Sequence, residues 1–173
     1  SEKLVFIRGG GLGDFLLTIP ILFEACNRYH EVKLFTRACF HPLLQDLKLE
    51  QLMLHDLDKE GKDLCFTCKD RNVFTFWNDQ EWVHELGEAG AKKVIPLQPR
   101  PKLEPHFVEH LYHTLDWSFR DEVHSTPWLG DRWSSQSKTL WIHPGSGSSM
   151  KNAALSFFEN RAINWLEKDI ENR

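Results

Sequence analysis

A chain of 173 residues with 41% hydrophobic residues is long enough for one domain, or for one domain and part of a second. It is also apolar enough to form a packed core, which excludes a disordered chain. A formal net charge of −4 and a pI of about 6.1 argue against a dedicated nucleic-acid-binding protein. No apolar run reaches the length of a membrane span and residues 1–20 lack a signal-peptide pattern, so we expect a cytoplasmic protein with four reduced cysteines.

Short apolar runs alternate with helical patterns along the first three quarters of the chain. The predicted strands are residues 4–7, 32–36, 51–54, 64–67, 73–77 and 93–96. The predicted helices are residues 15–29, 42–47, 81–89 and 105–117. Pro20 is expected to kink or end the first helix, and residues 56–62 are rich in turn formers. This alternation predicts an α/β fold, a Rossmann-like parallel sheet with helices on both faces.

A change of composition follows the last of these helices. Residues 127–138 contain Gly130, Asp131 and a serine-rich stretch, which is typical of a connection between domains. A new strand at 139–142, a Gly/Ser loop at 143–149 and an amphipathic helix at 157–170 come after it. We therefore expect an N-terminal Rossmann-like domain at 1–133, and a linker with the start of a second domain at 134–173.

The first glycine loop, Arg-Gly-Gly-Gly-Leu-Gly-Asp at residues 8–14, lies between the first strand and the first helix. It does not match the dinucleotide fingerprint G-x-G-x-x-G, because the third glycine position holds Asp14 or Leu16, and it lacks the Gly-Lys-Ser/Thr of a P-loop. Two roles stay open for Asp14. It either accepts a proton from an attacking hydroxyl in a cleft above the sheet, or only caps the first turn of the helix.

The second glycine loop is His-Pro-Gly-Ser-Gly-Ser-Ser-Met-Lys at residues 143–151. Backbone N–H groups, serine hydroxyls and the ammonium group of Lys151 after a strand suit a bound diphosphate. The alternative is a flexible connection with a solvated lysine.

Together the two loops resemble the signatures of the lipopolysaccharide heptosyltransferases, glycosyltransferase family 9. R-G-G-G-L-G-D-F-L-L-T-I-P resembles the N-terminal signature, and I-H-P-G-S-G-S-S-M-K resembles the motif that opens the second domain. The resemblance implies the N-terminal half of a two-domain GT-B type glycosyltransferase, with the second domain only begun. It also implies inverting transfer of a heptose or related sugar from a nucleotide-sugar, typically ADP-heptose, to a lipopolysaccharide-type acceptor.

The resemblance also assigns roles to particular residues. Asp14 matches the catalytic base of the family. The residues predicted to bind donor or substrate are Arg8, Gly11, Gly13, Gly145, Ser146, Ser148 and Lys151. No metal and no cofactor is expected, and nucleic acid is not an expected partner. The implied location is the cytoplasm, with peripheral association at the inner face of the cytoplasmic membrane as an option. The alternatives are a non-catalytic sugar- or partner-binding relative of the same fold and, from another class, a nucleotide-dependent oxidoreductase.

Three further groups of residues have the composition of a site. Three histidines share one face of the predicted helix 105–117, but they are too far apart along it for a closed metal site, so we expect a solvated or cleft-facing stripe. A lone C-x-x-C falls in a strand-like run, and two ordinary buried thiols are expected there. Four basic residues either serve surface solubility, which we favour for each alone, or line the acceptor cleft. The histidines are His106, His110 and His113, and the cysteines are Cys65 and Cys68. The basic residues are Arg8, Arg37, Lys69 and Arg71.

Overall fold

The computed structural model describes residues 2–45, 47, 49–99, 105–129 and 154–171. The chain divides into two compact units, Ser1–Gly130 and Asp131–Arg173. In the second unit the described part is essentially one long helix. The first unit contains the sheet and the helices that cover it.

Five strands form a parallel sheet in the first unit. They are β1 (Lys3–Arg8), β2 (Glu31–Thr36), β3 (Leu52–Asp56), β4 (Asn72–Thr75) and β5 (Lys93–Pro96). Their order in the sheet is β3-β2-β1-β4-β5, and every neighbouring pair is parallel. The sheet therefore grows outward from β1 in both directions, first through β2 and β3 and then through β4 and β5.

Helices connect the strands. They are α1 (Leu12–Leu16), α2 (Ile19–Arg28), α3 (Leu57–Glu60), α4 (Leu64–Cys68), α5 (Gln80–Glu88), α6 (Phe107–Thr114), α7 (Glu122–Ser125) and, in the second unit, α8 (Leu155–Glu171). Two short 3-10 helices lie at Ala38–Leu43 and Gly61–Asp63.

Each face of the sheet has its own hydrophobic core. Alternate residues of β1 point to opposite faces, as the pleat requires. Leu4 and Phe6 belong to the core that includes α2 and α6, whereas Val5 and Ile7 belong to the core that includes α4 and α5. Both sets are fully buried, so β1 is the central strand of the fold. These observations confirm the predicted α/β fold with a parallel sheet and helices on both faces.

Several elements of the structure differ from the prediction. The first helix is two helices, because residues 17–18 interrupt it and Pro20 lies in the first turn of α2. The turn-rich residues 56–62 are largely helical, since Asp56 caps α3 by accepting a hydrogen bond from the Asp58 N–H. A further helix, α7, was not predicted at all.

The predicted strand at residues 64–67 is wrong: this segment is the helix α4. Leu64 and Cys68 are both buried, whereas Phe66 between them is 86% exposed. Burial at positions i and i+4 is the spacing of a helix. A run of five residues is too short for the sequence alone to distinguish helical periodicity from that of a strand. One consequence is that Cys65 and Cys68 lie on a helix.

Candidate active site at the carboxyl ends of β1 and β4

The connections that follow the neighbouring strands β1 and β4 lie on opposite faces of the sheet. After β1 the chain passes into α1 and α2 on one face, and after β4 it passes into α5 on the opposite face. In open parallel sheets such a boundary leaves a crevice outside the carboxyl ends of the strands, where ligands bind. The first glycine loop follows β1 and the segment 76–79 follows β4, so both border this crevice.

Glycine is required at Gly10 in this loop. Its φ of +94° lies in the left-handed region, which residues with a side chain adopt at a cost. A Cβ atom added there would also lie 3.1 Å from Asp14 Oδ2. The tight turn therefore depends on Gly10, a residue that the sequence analysis did not single out. This turn brings the backbone of the loop close to the Asp14 carboxylate.

The predicted residues Gly11 and Gly13 have different surroundings. A Cβ added at Gly11 would lie 3.8 Å from Asp14 Oδ2, and one added at Gly13 would meet no atom of the described residues within 4 Å. The protein itself thus has room for a side chain at Gly13. Its small size leaves open space at the first turn of α1, on the border of the crevice.

Asp14 occupies the third position of α1, and its carboxylate reaches back to the start of the helix. Asp14 Oδ2 accepts a hydrogen bond of 3.3 Å from the Gly11 N–H, which is the capping-box arrangement. The side chain is nevertheless 35% exposed. Within the described part of the chain Oδ1 accepts no hydrogen bond. Capping therefore uses one oxygen, whereas Oδ1 has an ion pair with Arg8 Nη2 at 3.9 Å and keeps lone pairs for a ligand.

The buried side chain of Arg8 fixes the position of Asp14. Its side chain is 4% exposed, and its Nε and Nη2 donate hydrogen bonds of 3.3 and 2.9 Å to the main-chain carbonyl of Asp14. Nη2 also lies 3.9 Å from Asp14 Oδ1, and the guanidinium carbon lies 4.0 Å from the centroid of the Phe76 ring. These contacts position the helix that carries Asp14. The predicted role of Arg8 in binding donor or substrate stays a prediction.

Trp77 is a feature of the crevice that the sequence analysis missed. It follows β4, it is 41% exposed, and its indole Nε1 would lie 3.7 Å from a Cβ added at Gly9. Its ring meets Trp82 edge to face at 5.4 Å, and the Trp82 indole N–H donates to the Thr75 hydroxyl. The sequence signal was a tryptophan at the end of a buried strand. An exposed aromatic ring held at a fixed angle offers a flat apolar surface to a ligand.

The basic residues expected to line one cleft lie at different edges of the sheet. Arg37 follows β2 at the carboxyl edge and pairs with Asp58 at 3.7 Å. Lys69 and Arg71 precede β4 and so lie at the amino edge, where Arg71 pairs with Glu31 at 2.7 Å. The prediction for Lys69 and Arg71 is wrong because it assumed a strand at 64–67, whereas the segment is a helix that leads into the start of β4.

The three histidines of the predicted stripe do not act together. His106 caps α6 by accepting a hydrogen bond from the Val108 N–H, and its ring contacts His124. His110 lines a cleft near the carboxyl ends of β4 and β5, and His113 is largely exposed. Among the described residues no group of metal-ligating side chains has the arrangement of a metal site.

Cys65 and Cys68 are free thiols, as are the other two cysteines. Burial raises the pKa of Cys68 to about 12, and burial together with the nearby Glu85 raises the pKa of Cys65. A redox or nucleophilic cysteine needs a lowered pKa, so their new position on a helix does not make them a redox motif.

The residues predicted from the second glycine loop lie outside the described residues. They are Gly145, Ser146, Ser148 and Lys151. Their role in binding a diphosphate stays a prediction from the sequence.

No protein-family model matches this chain, and no curated protein matches it. Among solved structures, the chain is similar to the crystal structure of the glycosyl transferase family 9 from Veillonella parvula DSM 2008, with a TM-score of 0.48 and 12% sequence identity. The match covers 73% of this chain and 43% of that chain, so this chain spans less than half the length of that protein. No helix among the described residues is long and apolar enough to cross a membrane.

Proposed function

We propose that this chain contributes the acceptor side of an inverting glycosyltransferase that transfers a heptose or related sugar from a nucleotide-sugar. The observation that carries the proposal is the Asp14 carboxylate at the sheet's topological crevice. Its Oδ2 accepts a hydrogen bond within the loop, and its Oδ1 accepts none from the described residues, with Arg8 Nη2 3.9 Å away. The resemblance of the two loops to the heptosyltransferase signatures supports the choice of reaction. ADP-heptose as donor and a lipopolysaccharide-type acceptor belong to the same proposal.

In this reaction Asp14 acts as a general base. Oδ1 takes the proton of an acceptor hydroxyl, whose oxygen forms a bond to the anomeric carbon of the donor sugar while the bond from that carbon to the diphosphate oxygen breaks. Attack from the face opposite the diphosphate inverts the anomeric configuration. The hydrogen bond from Gly11 and the support from Arg8 hold the carboxylate in place, so that little reorganisation is needed.

The departing diphosphate requires groups that donate hydrogen bonds or carry a positive charge. We assign this role to the second loop, with the ammonium group of Lys151 and the backbone and hydroxyl groups of Gly145, Ser146 and Ser148 as donors. Replacing Lys151 with alanine is expected to weaken binding of ADP-heptose by about 10-fold to 100-fold, the range for a lost charge-assisted hydrogen bond.

The main test compares Asp14→Asn with the unaltered protein. Release of ADP from ADP-heptose in the presence of a lipopolysaccharide-core acceptor should fall by about 10²-fold to 10⁴-fold, whereas binding of ADP-heptose should not change. Asp121→Asn is the matched control, because Asp121 is exposed and its side chain makes no capping hydrogen bond. Near-normal turnover by Asp14→Asn would remove it as the base, and saturable binding of NAD in place of the nucleotide-sugar would favour the oxidoreductase.

A further inference from the structure

A separate cavity lies at the amino ends of β1, β4 and β5, at the opposite edge of the sheet from the crevice. Its lining includes Glu2, Asn72 and Lys93, and we call it the amino-edge cavity. Its volume is about 330 Å³, at the lower end of the usual range for small-ligand sites. Strand β1 has six residues, so roughly 17 Å of sheet separate this edge from the first glycine loop at a rise of about 3.3 Å per residue. The amino-edge cavity is therefore distinct from the site that contains Asp14.

The register of the sheet brings polar groups from neighbouring strands into one row at this edge. Asn72 of β4 is the register partner of Leu4 in β1 and of Lys93 in β5. Glu2 precedes β1 and lines the same cavity. Phe74 lies two residues after Asn72 and so shares its face of the sheet, behind the polar row. The cavity thus has a polar end at the edge and an aromatic wall next to the core.

The polar groups are held in place by one another. Asn72 is buried, and its Nδ2 donates a hydrogen bond of 3.3 Å to Glu2 Oε2. The other oxygen of Glu2, Oε1, lies 3.6 Å from Lys92 Nζ. Burial and the Glu2 carboxylate raise the pKa of Tyr29 and outweigh the lowering by its hydrogen bond with Asn72, so the phenol is neutral at pH 7. The Glu2 carboxylate therefore has two partners, while Lys93 is exposed and adds a second ammonium group.

Three aromatic rings form much of the apolar wall. Tyr29 and Trp117 both meet Phe74 edge to face, with ring centroids 6.0 and 5.7 Å apart. Phe74 is fully buried, whereas the other two rings are partly exposed. Ile95 and Leu115 complete the apolar part of the lining. Aromatic rings pair favourably with a further ring in offset or edge-to-face geometry, so this wall suits a flat ring.

The charged groups of the lining favour an anionic ligand over a cationic one. Aromatic rings also attract cations, and a carboxylate beside them strengthens that attraction. Here, however, the carboxylate of Glu2 is already paired with Lys92 and bonded to Asn72. Two lysines and one glutamate give the lining a formal charge of +1. An ammonium group binds a carboxylate through charge-assisted hydrogen bonds, which are stronger than neutral ones.

We propose that the amino-edge cavity binds a small aromatic acid, a single or fused planar ring that carries one carboxylate. The ring packs among Tyr29, Phe74 and Trp117, and the carboxylate lies at the edge of the sheet beside Lys93. This site does not depend on the proposed glycosyl transfer, because its residues lie at the other end of the strands from Asp14.

The test is an NMR titration of the isotope-labelled 173-residue chain with ligands that share one ring system. Indole-3-acetate, indole-3-ethanol and tryptamine carry a negative charge, no charge and a positive charge at pH 7, and indole-3-acetate should bind most tightly. Phenylacetate should likewise bind more tightly than cyclohexylacetate, its non-aromatic counterpart. Lys93→Gln should weaken binding of indole-3-acetate about twofold to fivefold, the range for one exposed ion pair. Lys62→Gln is the matched control, at an exposed lysine of the 3-10 helix Gly61–Asp63, and should leave the affinity unchanged.

The position of the ligand is a second readout. The amide signals of Asn72, Lys93 and Trp117 should shift on titration, and those of Gly10 and Asp14 should not. Four results would each overturn the proposal: no binding of either aromatic acid, tighter binding of tryptamine than of indole-3-acetate, shifts confined to the first glycine loop, or an affinity that Lys93→Gln leaves unchanged. The series of ligand charges uses the unaltered chain, so it tests the site without any substitution. Asp14→Asn should bind indole-3-acetate as the unaltered chain does, which separates this result from the proposed function.

Discussion

Two glycines of the same loop give opposite predictions when each is changed to alanine. Gly10 has a φ of +94°, and a methyl group there would lie 3.1 Å from Asp14 Oδ2. The left-handed backbone alone costs a residue with a side chain about 1–2 kcal/mol. The contact adds to this cost because the carboxylate must move away from the Gly11 N–H. Gly10→Ala should therefore lower the free energy of unfolding by about 1–2 kcal/mol or more.

Gly13 lies within α1, and a methyl group added there would meet no atom within 4 Å in the part of the chain that the structure describes. Alanine has a higher helix propensity than glycine, so Gly13→Ala should raise the free energy of unfolding, by up to about 1 kcal/mol. If a ligand approaches the backbone at this point, the same methyl group should raise KM for the donor or acceptor sugar. Higher stability with weaker substrate binding would show that Gly13 is kept small for the ligand and not for the fold.

Urea denaturation followed by circular dichroism measures both variants against the unaltered protein. The two free energies of unfolding should differ by about 1–3 kcal/mol in the stated order. Equal stability of the two variants would refute the loop geometry. A Gly13→Ala variant that is destabilised would refute the open space at the start of α1.

Three further predictions concern the surroundings of the site and the thiols. Arg8→Lys should lower the free energy of unfolding by about 1.5–3 kcal/mol in urea denaturation, because an ammonium group cannot reproduce the two hydrogen bonds and the ring contact; an unchanged midpoint would contradict the role given to this side chain. Trp77→Ala should raise the acceptor KM about threefold to tenfold with little change in kcat. Phe66→Ala, at an exposed ring on α4, should change neither. Mass spectrometry after brief iodoacetamide treatment at pH 8 should find Cys39 alkylated before Cys26. Cys39 is exposed, whereas burial raises the pKa of Cys26 to about 11. Alkylation in the reverse order would contradict the described packing.

The sequence predicted the sheet better than the helices around it. The continuous apolar run at residues 4–7 identified β1 because this strand is buried on two faces, where strands of a parallel sheet are apolar throughout. The segment 64–67 had the same apolar appearance, and its helical period became evident only from the exposure of Phe66. Periodicity in five residues does not distinguish the two structures, and that one error also misplaced Lys69 and Arg71.

At the site, the sequence identified the residue types but not the structural role of each residue. It singled out Arg8 as a charge near the end of a strand, but it did not show that the buried side chain supports Asp14. It named Gly11 and Gly13, whereas the backbone requires glycine at Gly10. Positive φ and burial arise from the path of the chain in three dimensions, so neither is visible in a local motif.

The two roles considered for Asp14 do not compete, because they use different oxygens. Oδ2 accepts the Gly11 N–H and closes the loop, while Oδ1 is the oxygen proposed to take a proton. An asparagine at position 14 keeps an acceptor oxygen for the Gly11 N–H and has no carboxylate to protonate, whereas an alanine loses both. Asp14→Asn should therefore abolish transfer at nearly full stability, while Asp14→Ala should also lower the free energy of unfolding by about 0.5–2 kcal/mol, the cost of a lost cap. Equal loss of stability in both variants would mean that the negative charge itself holds the loop, and Asp14 would then be required by the fold before any chemistry takes place.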